Sequence, residues 1–215
     1  MTPSTVNRCV GVLLAGGSAR RFGGAPKGLA RVDGARIADR VLAALVEAST
    51  TTVIVSNDPR ASAWFPAHHI VADAEPGLGP LAGIVTALRA GGGSPVLVVA
   101  WDMPFVPGAL LRAMRHRGEK AEASDVPVHG AANVAEPLCA YYRPEALVIA
   151  ERLLANGERR ARALYESLIE SGAAVTMGDR GLERFGAPER LFASVDTPEA
   201  LAALGGEPPD GSRPS

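Results

Sequence analysis

The chain has 215 residues, of which 47% are hydrophobic and 21% are charged, and its formal net charge at pH 7 is −1. This length and composition are typical of a soluble globular protein with one domain and a sizeable core. A net charge so close to zero creates no overall field that would attract nucleic acid or an anionic membrane, so we expect neither as a partner.

The first residues and the cysteines of the chain predict the cellular compartment of the protein. The opening "MTPSTVNR" lacks the basic start and apolar core of a signal peptide, and no apolar run approaches the roughly 20 residues that cross a bilayer. The two cysteines, Cys9 and Cys139, follow no metal-ligand spacing, and the four histidines form no metal pattern and are expected to be incidental. We therefore expect a cytoplasmic protein with reduced thiols.

The first half of the chain alternates between short apolar runs and helical patterns. In chain order, strands are predicted over residues 9–14, 51–58, 69–73 and 94–102, and helices over 35–48, 79–91 and 106–117. Such alternation is typical of a mostly parallel sheet with helices on both faces. We therefore predict an α/β fold with three layers, α/β/α, around a mostly parallel central sheet.

The second half is less regular. Strands are predicted over residues 136–143 and 190–196, and helices over 144–157, 159–172 and 197–204. Thr197 suits the N-cap of the last helix, and Pro198 suits its first position. We find no repeat and no linker, so we predict a single domain over residues 1–205. Residues 206–215, rich in proline and glycine, are predicted to be a disordered tail.

A glycine-rich stretch with clustered positive charge follows the first predicted strand. The stretch "LLAGGSARRFGGAPKG", residues 13–28, contains five glycines, two arginines and one lysine. Glycines allow backbone amides to approach a ligand closely, and adjacent cations repel one another unless an anion lies between them. The stretch matches neither the P-loop nor the dinucleotide-binding fingerprint. It predicts a phosphate-binding loop, with a surface loop of solvated arginines as the alternative.

Four polar side chains, Asn57, Asp73, Asp102 and Asp196, lie where predicted strands end. Because ligands of parallel sheets bind at the carboxyl ends of the strands, we expect these residues to converge with the glycine-rich stretch. Asp102 ends a buried strand, where a divalent ion with phosphates would compensate its charge. Helix capping is the alternative for Asp102 and Asp196, and a turn is the alternative for Asn57 and Asp73.

Together these segments resemble the MobA-like nucleotidyltransferases. The glycine-rich stretch is similar to the family's signature Leu-Ala-Gly-Gly-x-x-x-Arg-Met/Phe-Gly-x-x-Lys. The similarity continues in the family's order through "ADAEPGLGPLAGI", "VVAWDMPFVP", "EPLCAYYR", "GERRARAL" and "SVDTPEAL" and covers most of the chain. The resemblance implies a Rossmann-like nucleotidyltransferase fold. It also implies a Mg²⁺-dependent enzyme that moves GMP from GTP onto the phosphate of molybdopterin or molybdenum cofactor and releases pyrophosphate.

The resemblance further implies roles for individual residues. The backbone of Leu14, Ala15 and Gly16 would lie along the base and ribose, Gly17 would begin the phosphate loop, and Asn57 and Asp73 would contact the nucleoside. Arg21 and Lys27 would hold the triphosphate, Asp102 would bind Mg²⁺, and Asp196 would lie near the metal and the acceptor as a second ligand. GTP and molybdopterin are the expected partners, with molybdoenzyme maturation proteins as further candidates.

Three alternatives remain open from the sequence. A cytidylyltransferase for the same pterin, or a guanylyltransferase for another phosphorylated acceptor, would have a similar site. A non-catalytic nucleotide-binding protein would have no need of Asp102 as a metal ligand. The "LAGG" sequence favours GTP, because the family's cytidylyltransferases tend to have "LAAG" and Gly16 leaves room for a purine.

Overall fold

The computed structural model of the chain describes residues 8–16, 26–73 and 75–209. The strands are β1 (Val10–Leu14), β2 (Arg31–Val32), β3 (Ala35–Arg36), β4 (Thr51–Val55), β5 (His69–Val71), β6 (Val96–Ala100), β7 (Ser124–His129), β8 (Val134–Ala135), β9 (Cys139–Tyr142) and β10 (Ala174–Met177). The α-helices are α1 (Ile37–Ala48), α2 (Ala61–Trp64), α3 (Pro80–Ala90), α4 (Gly108–Ala121), α5 (Ala146–Ala155), α6 (Ala161–Glu170), α7 (Asp179–Leu182), α8 (Pro188–Leu191) and α9 (Pro198–Ala203). A short 3-10 helix spans Lys27–Leu29.

The central sheet has the strand order β10-β7-β9-β6-β1-β4-β5, and β8 pairs with β7 at its side. β1 lies between β4 and β6 and is parallel to both, β5 is parallel to β4, and β10 is parallel to β7. β9 is antiparallel to both β6 and β7. The sheet is therefore mostly parallel, as the alternation of strands and helices predicts.

Helices cover both faces of this sheet. In β6, Leu97 and Val99 belong to the core cluster that contains the apolar residues of α1 and α4. Val96 and Val98, which alternate with them, belong to the cluster that contains those of α3, α5 and α6. Because successive side chains of a strand point to opposite faces, β6 is buried on both sides. The prediction of a Rossmann-like α/β/α fold in three layers is confirmed.

The predicted strand over residues 190–196 is wrong. The chain there ends α8 and then runs irregularly across the carboxyl edge of the sheet, where the amide of Val195 donates to the carbonyl of Asp102 at 2.9 Å. The apolar side chains that suggested a strand, Leu191, Phe192 and Val195, are buried in core clusters from this irregular segment. Burial alone therefore produced the strand-like pattern.

The last described residues remain bonded to the rest of the chain. Glu207 and Arg31 exchange two backbone hydrogen bonds of 2.8 Å, two residues beyond the predicted end of the domain at residue 205. Residues 210–215 of the predicted tail lie outside the described residues, and the division into domain and tail stays a prediction. None of the described helices is both long and apolar enough to cross a membrane.

Candidate active site

A cleft of about 950 Å³ opens at the carboxyl edge of the sheet, where the parallel strands β1, β4 and β6 end side by side. It is lined by every predicted site residue that the structure describes: Leu14, Ala15, Gly16, Lys27, Asn57, Asp73, Asp102 and Asp196. The predicted phosphate-loop residues Gly17 and Arg21 lie outside the described residues. The fold thus brings together residues that are up to 182 positions apart in the sequence, from Leu14 to Asp196.

Lys27 links the two predicted metal ligands at the centre of the cleft. Its Nζ donates a hydrogen bond to Oδ2 of Asp102 and another, of 2.6 Å, to Oδ1 of Asp196. Lys27 begins the 3-10 helix, Asp102 follows β6, and Asp196 precedes α9. With all three groups ionised, the cluster carries one positive and two negative charges, and its net charge of −1 favours binding of a further cation.

The surroundings of Asp102 leave it poorly compensated. Its side chain is only 11% exposed, and its Oδ1 has no hydrogen-bond partner among the described residues. Burial raises the pKa of this carboxyl, against the charge and hydrogen bond of Lys27. Burial also works to lower the pKa of Lys27, but the charges and hydrogen bonds of Asp102 and Asp196 outweigh it and raise that pKa. Lys27 is therefore charged at neutral pH.

A divalent cation fits this arrangement. The buried Oδ1 of Asp102 offers an oxygen ligand of the kind that Mg²⁺ prefers. Among the described residues no group of three His, Cys, Asp or Glu could surround an ion. Oxygens of a bound phosphate, together with water, would have to complete the ligand shell, as is usual for Mg²⁺ in nucleotide sites.

Helix capping does not account for either aspartate. Thr197 is the N-cap of α9, where its Oγ1 accepts a 3.1 Å hydrogen bond from the amide of Ala200, and Pro198 follows at the first position as predicted. Pro107 occupies the N-cap position of α4, well beyond Asp102. The capping alternative is therefore wrong for both, and Asp196 has its carboxylate bonded to Lys27 and to the hydroxyl of Ser194 at 3.0 Å.

Asn57 and Asp73 form a connected pair at the ends of β4 and β5. The amide of Asp73 donates to Oδ1 of Asn57 at 2.8 Å, and Oδ1 of Asp73 accepts from Thr86 in α3 at 2.8 Å and from the amide of Glu75 at 3.1 Å. These bonds fix the turns, as the alternative for both residues predicts. They also leave Nδ2 of Asn57 and Oδ2 of Asp73 without a hydrogen-bond partner among the described residues, so both atoms are available to a ligand.

The backbone after β1 is held close to its neighbour. The amide of Ala15 donates to the carbonyl of Val55 at 2.9 Å, and the hydroxyl of Ser56 donates to the carbonyl of Ala15 at 2.9 Å. A Cβ built at Gly16 would meet no described atom within 4 Å, and Gly16 does not have a left-handed φ. Neither packing within the described chain nor a turn therefore requires glycine at this position.

An aromatic wall flanks the charged cluster. Trp101 packs against the backbone of Gly28, where a Cβ would overlap its ring. The ring of Trp101 also lies near that of Trp64, with centroids 6.2 Å apart, and the guanidinium of Arg60 lies 5.0 Å from the centroid of the Trp64 ring. Because Gly28 follows Lys27, this packing positions the lysine beside Asp102.

A further polar group, His129 with Glu136, lies at the same edge and was not predicted from the sequence. Nε2 of His129, at the end of β7, lies 2.8 Å from Oε1 of Glu136, and the ring of His129 stacks on Phe192 with centroids 5.1 Å apart. Burial raises the pKa of Glu136, against the hydrogen bond and charge of His129, and the negative charge of Asp102 adds to the rise. The only sequence signal was a glutamate directly before an apolar strand, in "EPLCAYY". His129 is therefore not incidental to the architecture of this edge.

A mostly parallel α/β sheet with a charged cleft at its carboxyl edge is the architecture of a nucleotide-binding protein. Residues 11–175 match the family model described as the MobA-like NTP transferase domain, and the chain belongs to this family.

The chain is also similar to individual proteins, both in sequence and in structure. The chain is 32% identical over 196 residues to the probable molybdenum cofactor guanylyltransferase of Chloroflexus aggregans, covering 89% of this chain and 90% of that protein. It is 33% identical over 191 residues to the molybdenum cofactor guanylyltransferase of Desulfosudis oleivorans, covering 89% and 91%. Among solved structures it is similar to the molybdopterin-guanine dinucleotide biosynthesis protein A of Archaeoglobus fulgidus, with a TM-score of 0.73, 28% identity and coverage of 91% of this chain and 96% of that one.

Proposed function

We propose that this protein transfers GMP from GTP to the terminal phosphate of molybdopterin or molybdenum cofactor and so makes a molybdopterin guanine dinucleotide. The observation that carries the proposal is the cluster of Lys27, Asp102 and Asp196 in the edge cleft, in which Lys27 belongs to the glycine-rich stretch. The activities named for relatives at 32% and 33% identity support it.

The proposed reaction requires little acid–base chemistry from the protein. An oxygen of the acceptor phosphate attacks the α-phosphorus of GTP, the new P–O bond forms, and the bond to the β-phosphate oxygen breaks with its electron pair leaving on pyrophosphate. The attacking phosphate is already anionic, so no general base is required. The protein contributes mainly by positioning the two substrates and by neutralising their negative charge.

Lys27 is suited to the charge-neutralising role. An ammonium has three donors, and two of them are directed to Asp102 and Asp196. The third is available to an oxygen of the triphosphate, and the two carboxylates hold the side chain in the cleft. Arg21 would add a second cation from the glycine-rich stretch.

Mg²⁺ would be held by Asp102, through its unpartnered Oδ1, and by Asp196. When bound, the ion supplies positive charge that offsets the charge of the phosphates. On the other side of the cleft, the backbone from Leu14 to Gly16 would lie along the base and ribose, with Asn57 and Asp73 contacting the nucleoside. A cytoplasmic location and molybdoenzyme maturation proteins as partners stay predictions.

Product analysis tests the proposal directly. The purified protein would be incubated with Mg²⁺, molybdopterin and an equimolar mixture of GTP and CTP, with pyrophosphate and the pterin products measured together. We expect pyrophosphate release that depends on molybdopterin and a predominantly guanylyl product. A predominantly cytidylyl product would contradict the base assignment, and absence of any dinucleotide product would contradict the acceptor.

A further inference from the structure

The residues around Asp102 divide the carboxyl edge into two sides. The predicted nucleoside contacts lie at the ends of β4 and β5, on one side of β6. On the other side of β6 lie β9 and β7. An acceptor that attacks the α-phosphorus from the side opposite to the leaving pyrophosphate needs room and contacts beyond those of the nucleotide. On the side of β9 and β7, Leu138 lines the cleft beside Asp102.

Glu136 lies on this second side, close to the end of β6. Val99 is in register with Cys139, so the amino end of the antiparallel β9 lies beside the carboxyl end of β6. The amide of Ala100 donates to the carbonyl of Leu138 at 2.8 Å, and Leu138 lines the cleft together with Asp102. Glu136 is two residues from Leu138, and its charge interacts with that of Asp102.

The carboxylate of Glu136 is held but not saturated. Its Oε1 is bonded to His129, whose ring is fixed by stacking on Phe192. Its Oε2 has no hydrogen-bond partner among the described residues, and the side chain as a whole is 18% exposed. The backbone bonds that fix the turn, from the amide of Glu136 to Pro127 and from that of Cys139 to Glu136, do not involve the carboxylate.

The bond to His129 involves only one of the two carboxylate oxygens. The carboxylate adds negative charge near Asp102, and its partial burial carries a desolvation cost that the hydrogen bond and charge of His129 offset in part. A carboxylate is better than an amide when a ligand presents two adjacent N–H donors, because its two oxygens accept from both.

We propose that Glu136, positioned by His129, recognises the pterin of the acceptor through the ring N–H at N3 and the amino group at C2. This inference rests on the proposed function, because that function makes the acceptor a pterin. The 2-amino-4-oxo edge of a pterin carries these two donors side by side, which matches a carboxylate. Glu136 is thus a specificity-determining residue for the acceptor, and His129 is a positioning residue that acts through it.

A pair of small fluorescent probes tests the inference without any transfer reaction. Pterin and lumazine differ in the C2 substituent, which is an amino group in pterin and an oxo group in lumazine. Their binding to the full chain would be measured by fluorescence titration, for the wild type, for Glu136→Gln and for Glu145→Gln. Glu145 makes a matched control because it is exposed and pairs with Arg143 at the surface. GTP binding would be followed by tryptophan fluorescence, since Trp101 lines the cleft and the chain has only two tryptophans.

We expect the wild type and Glu145→Gln to bind pterin about tenfold more tightly than lumazine, and Glu136→Gln to lose this preference. In the transfer assay, Glu136→Gln should raise the KM for molybdopterin about tenfold and change the KM for GTP less than twofold. His129→Phe, which keeps an aromatic ring against Phe192, should weaken the pterin preference by a smaller factor. A merely structural role would affect both substrates alike.

Two outcomes would overturn the inference: a wild type without preference for pterin, or a Glu136→Gln variant that keeps the preference. Neither depends on the proposed function. If the wild type transfers GMP to molybdopterin but does not prefer pterin, the role of Glu136 is contradicted and the proposed function is not. Pterin preference without any transfer would instead sink the proposed function and leave the role of Glu136 standing.

Discussion

The two sides of the cleft hold their polar groups in different ways. On the nucleotide side, meaning Ala15, Gly16, Asn57 and Asp73, the bonds run mostly between neighbouring backbone and short side chains, and they fix turns at strand ends. On the charged side, meaning Lys27, Asp102, Asp196 and Glu136, ionisable groups bond to one another or to His129. Lys27 reaches Asp102 and Asp196 over 75 and 169 positions of the sequence, whereas Glu136 bonds to His129 over 7 positions.

This difference predicts different consequences of mutation. The turns of the nucleotide side are held by hydrogen bonds within the chain, so we expect this side to form without a ligand and its variants to change binding and base choice. The charged side has a net negative charge and contains two buried or half-buried carboxylates, Asp102 and Glu136, and Oδ1 of Asp102 has no hydrogen-bond partner among the described residues. Such groups gain most when a cation or a donor of the substrate arrives, so their variants should change turnover or acceptor selection. Substitutions on each side therefore test whether the two sides differ in this way.

The largest effect is expected at the centre of the charged side. Asp102→Asn keeps the shape of the side chain but removes the charge that would hold Mg²⁺, so we expect kcat to fall about a thousandfold, corresponding to several kcal/mol of transition-state stabilisation. The steady-state rate of pyrophosphate release gives kcat, and chelation of Mg²⁺ should lower the rate of the wild type to a similar value. Thermal unfolding should show a folded variant. Asp39→Asn, an exposed aspartate paired with Arg36, is the matched control. Near-normal turnover of Asp102→Asn in Mg²⁺ would contradict the metal assignment.

A smaller effect, confined to binding of the phosphates, is expected for Lys27. Lys27→Met keeps an unbranched side chain without the ammonium, and we expect a loss of GTP affinity of about tenfold or more with a smaller loss for GMP, because the contribution of the charge grows with the number of phosphates. Titration of both nucleotides measures the ratio. Lys120→Met, in the last turn of α4, provides a matched control outside the cleft. Equal losses for GTP and GMP would indicate that Lys27 is structural.

The nucleotide side should respond through base choice. Gly16→Ala places a methyl group where the described chain has no atom within 4 Å, so the free energy of unfolding should change by less than about 1 kcal/mol. We expect the preference for GTP over CTP to fall about tenfold, because the added methyl narrows the space for the larger base. A competition assay with both nucleotides measures it, and Gly178→Ala, also in open space, is the control. Unchanged base preference would place base selection elsewhere.

These two sides also differ in how far the sequence predicts them. The nucleotide side follows strands of the regular alternation, and a strand end marks each of its residues, so its convergence could be predicted. Asp102 was found in the same way, because β6 is a continuous apolar run.

Glu136 and His129 had no comparable signal. β7 contains Asp125 and Pro127, which oppose a strand in the sequence, and it is the sheet around it that makes the strand. Because β9 is antiparallel to β6, Glu136 reaches the carboxyl edge of the sheet from a position before its strand and not after it. Asp196 was identified through a strand that does not exist. Its apolar neighbours suggested the wrong local structure, although Asp196 itself lines the cleft.

A second buried aspartate resembles Asp102 but lies outside the cleft. Asp125 in β7 is fully buried, its Oδ2 accepts a 2.8 Å hydrogen bond from Arg117, and its Oδ1 has no hydrogen-bond partner among the described residues. Burial raises its pKa from 3.8 to about 6, against the hydrogen bond and charge of Arg117. Each of the two aspartates is hydrogen-bonded to one cationic side chain, yet only Asp102 lines the cleft.

For Asp125 we therefore expect an effect on stability with little effect on transfer, the smallest functional change of the series. Because the folded state binds the proton of Asp125 more tightly than the unfolded state, stability falls as pH rises from about 4 to about 6, and the loss is complete above that range. Asp125→Asn has no carboxyl to titrate, so it does not lose this stability. The free energy of unfolding of the variant minus that of the wild type should therefore increase by up to about 3 kcal/mol between pH 4 and pH 7. Urea denaturation at the two pH values measures the difference, with kcat at pH 7 expected within twofold of the wild type. Glu158→Gln serves as a control of opposite sign at lower pH, since hydrogen bonds from Arg160 lower the pKa of Glu158 from 4.5 to about 2. Relative to the wild type, this variant should lose stability as pH rises from about 2 to about 4.5 and change little from there to pH 7. A constant difference between Asp125→Asn and the wild type at both pH values would show that burial does not shift the proton affinity of Asp125. A collapse of kcat would show that buried carboxylates outside the cleft also govern the reaction.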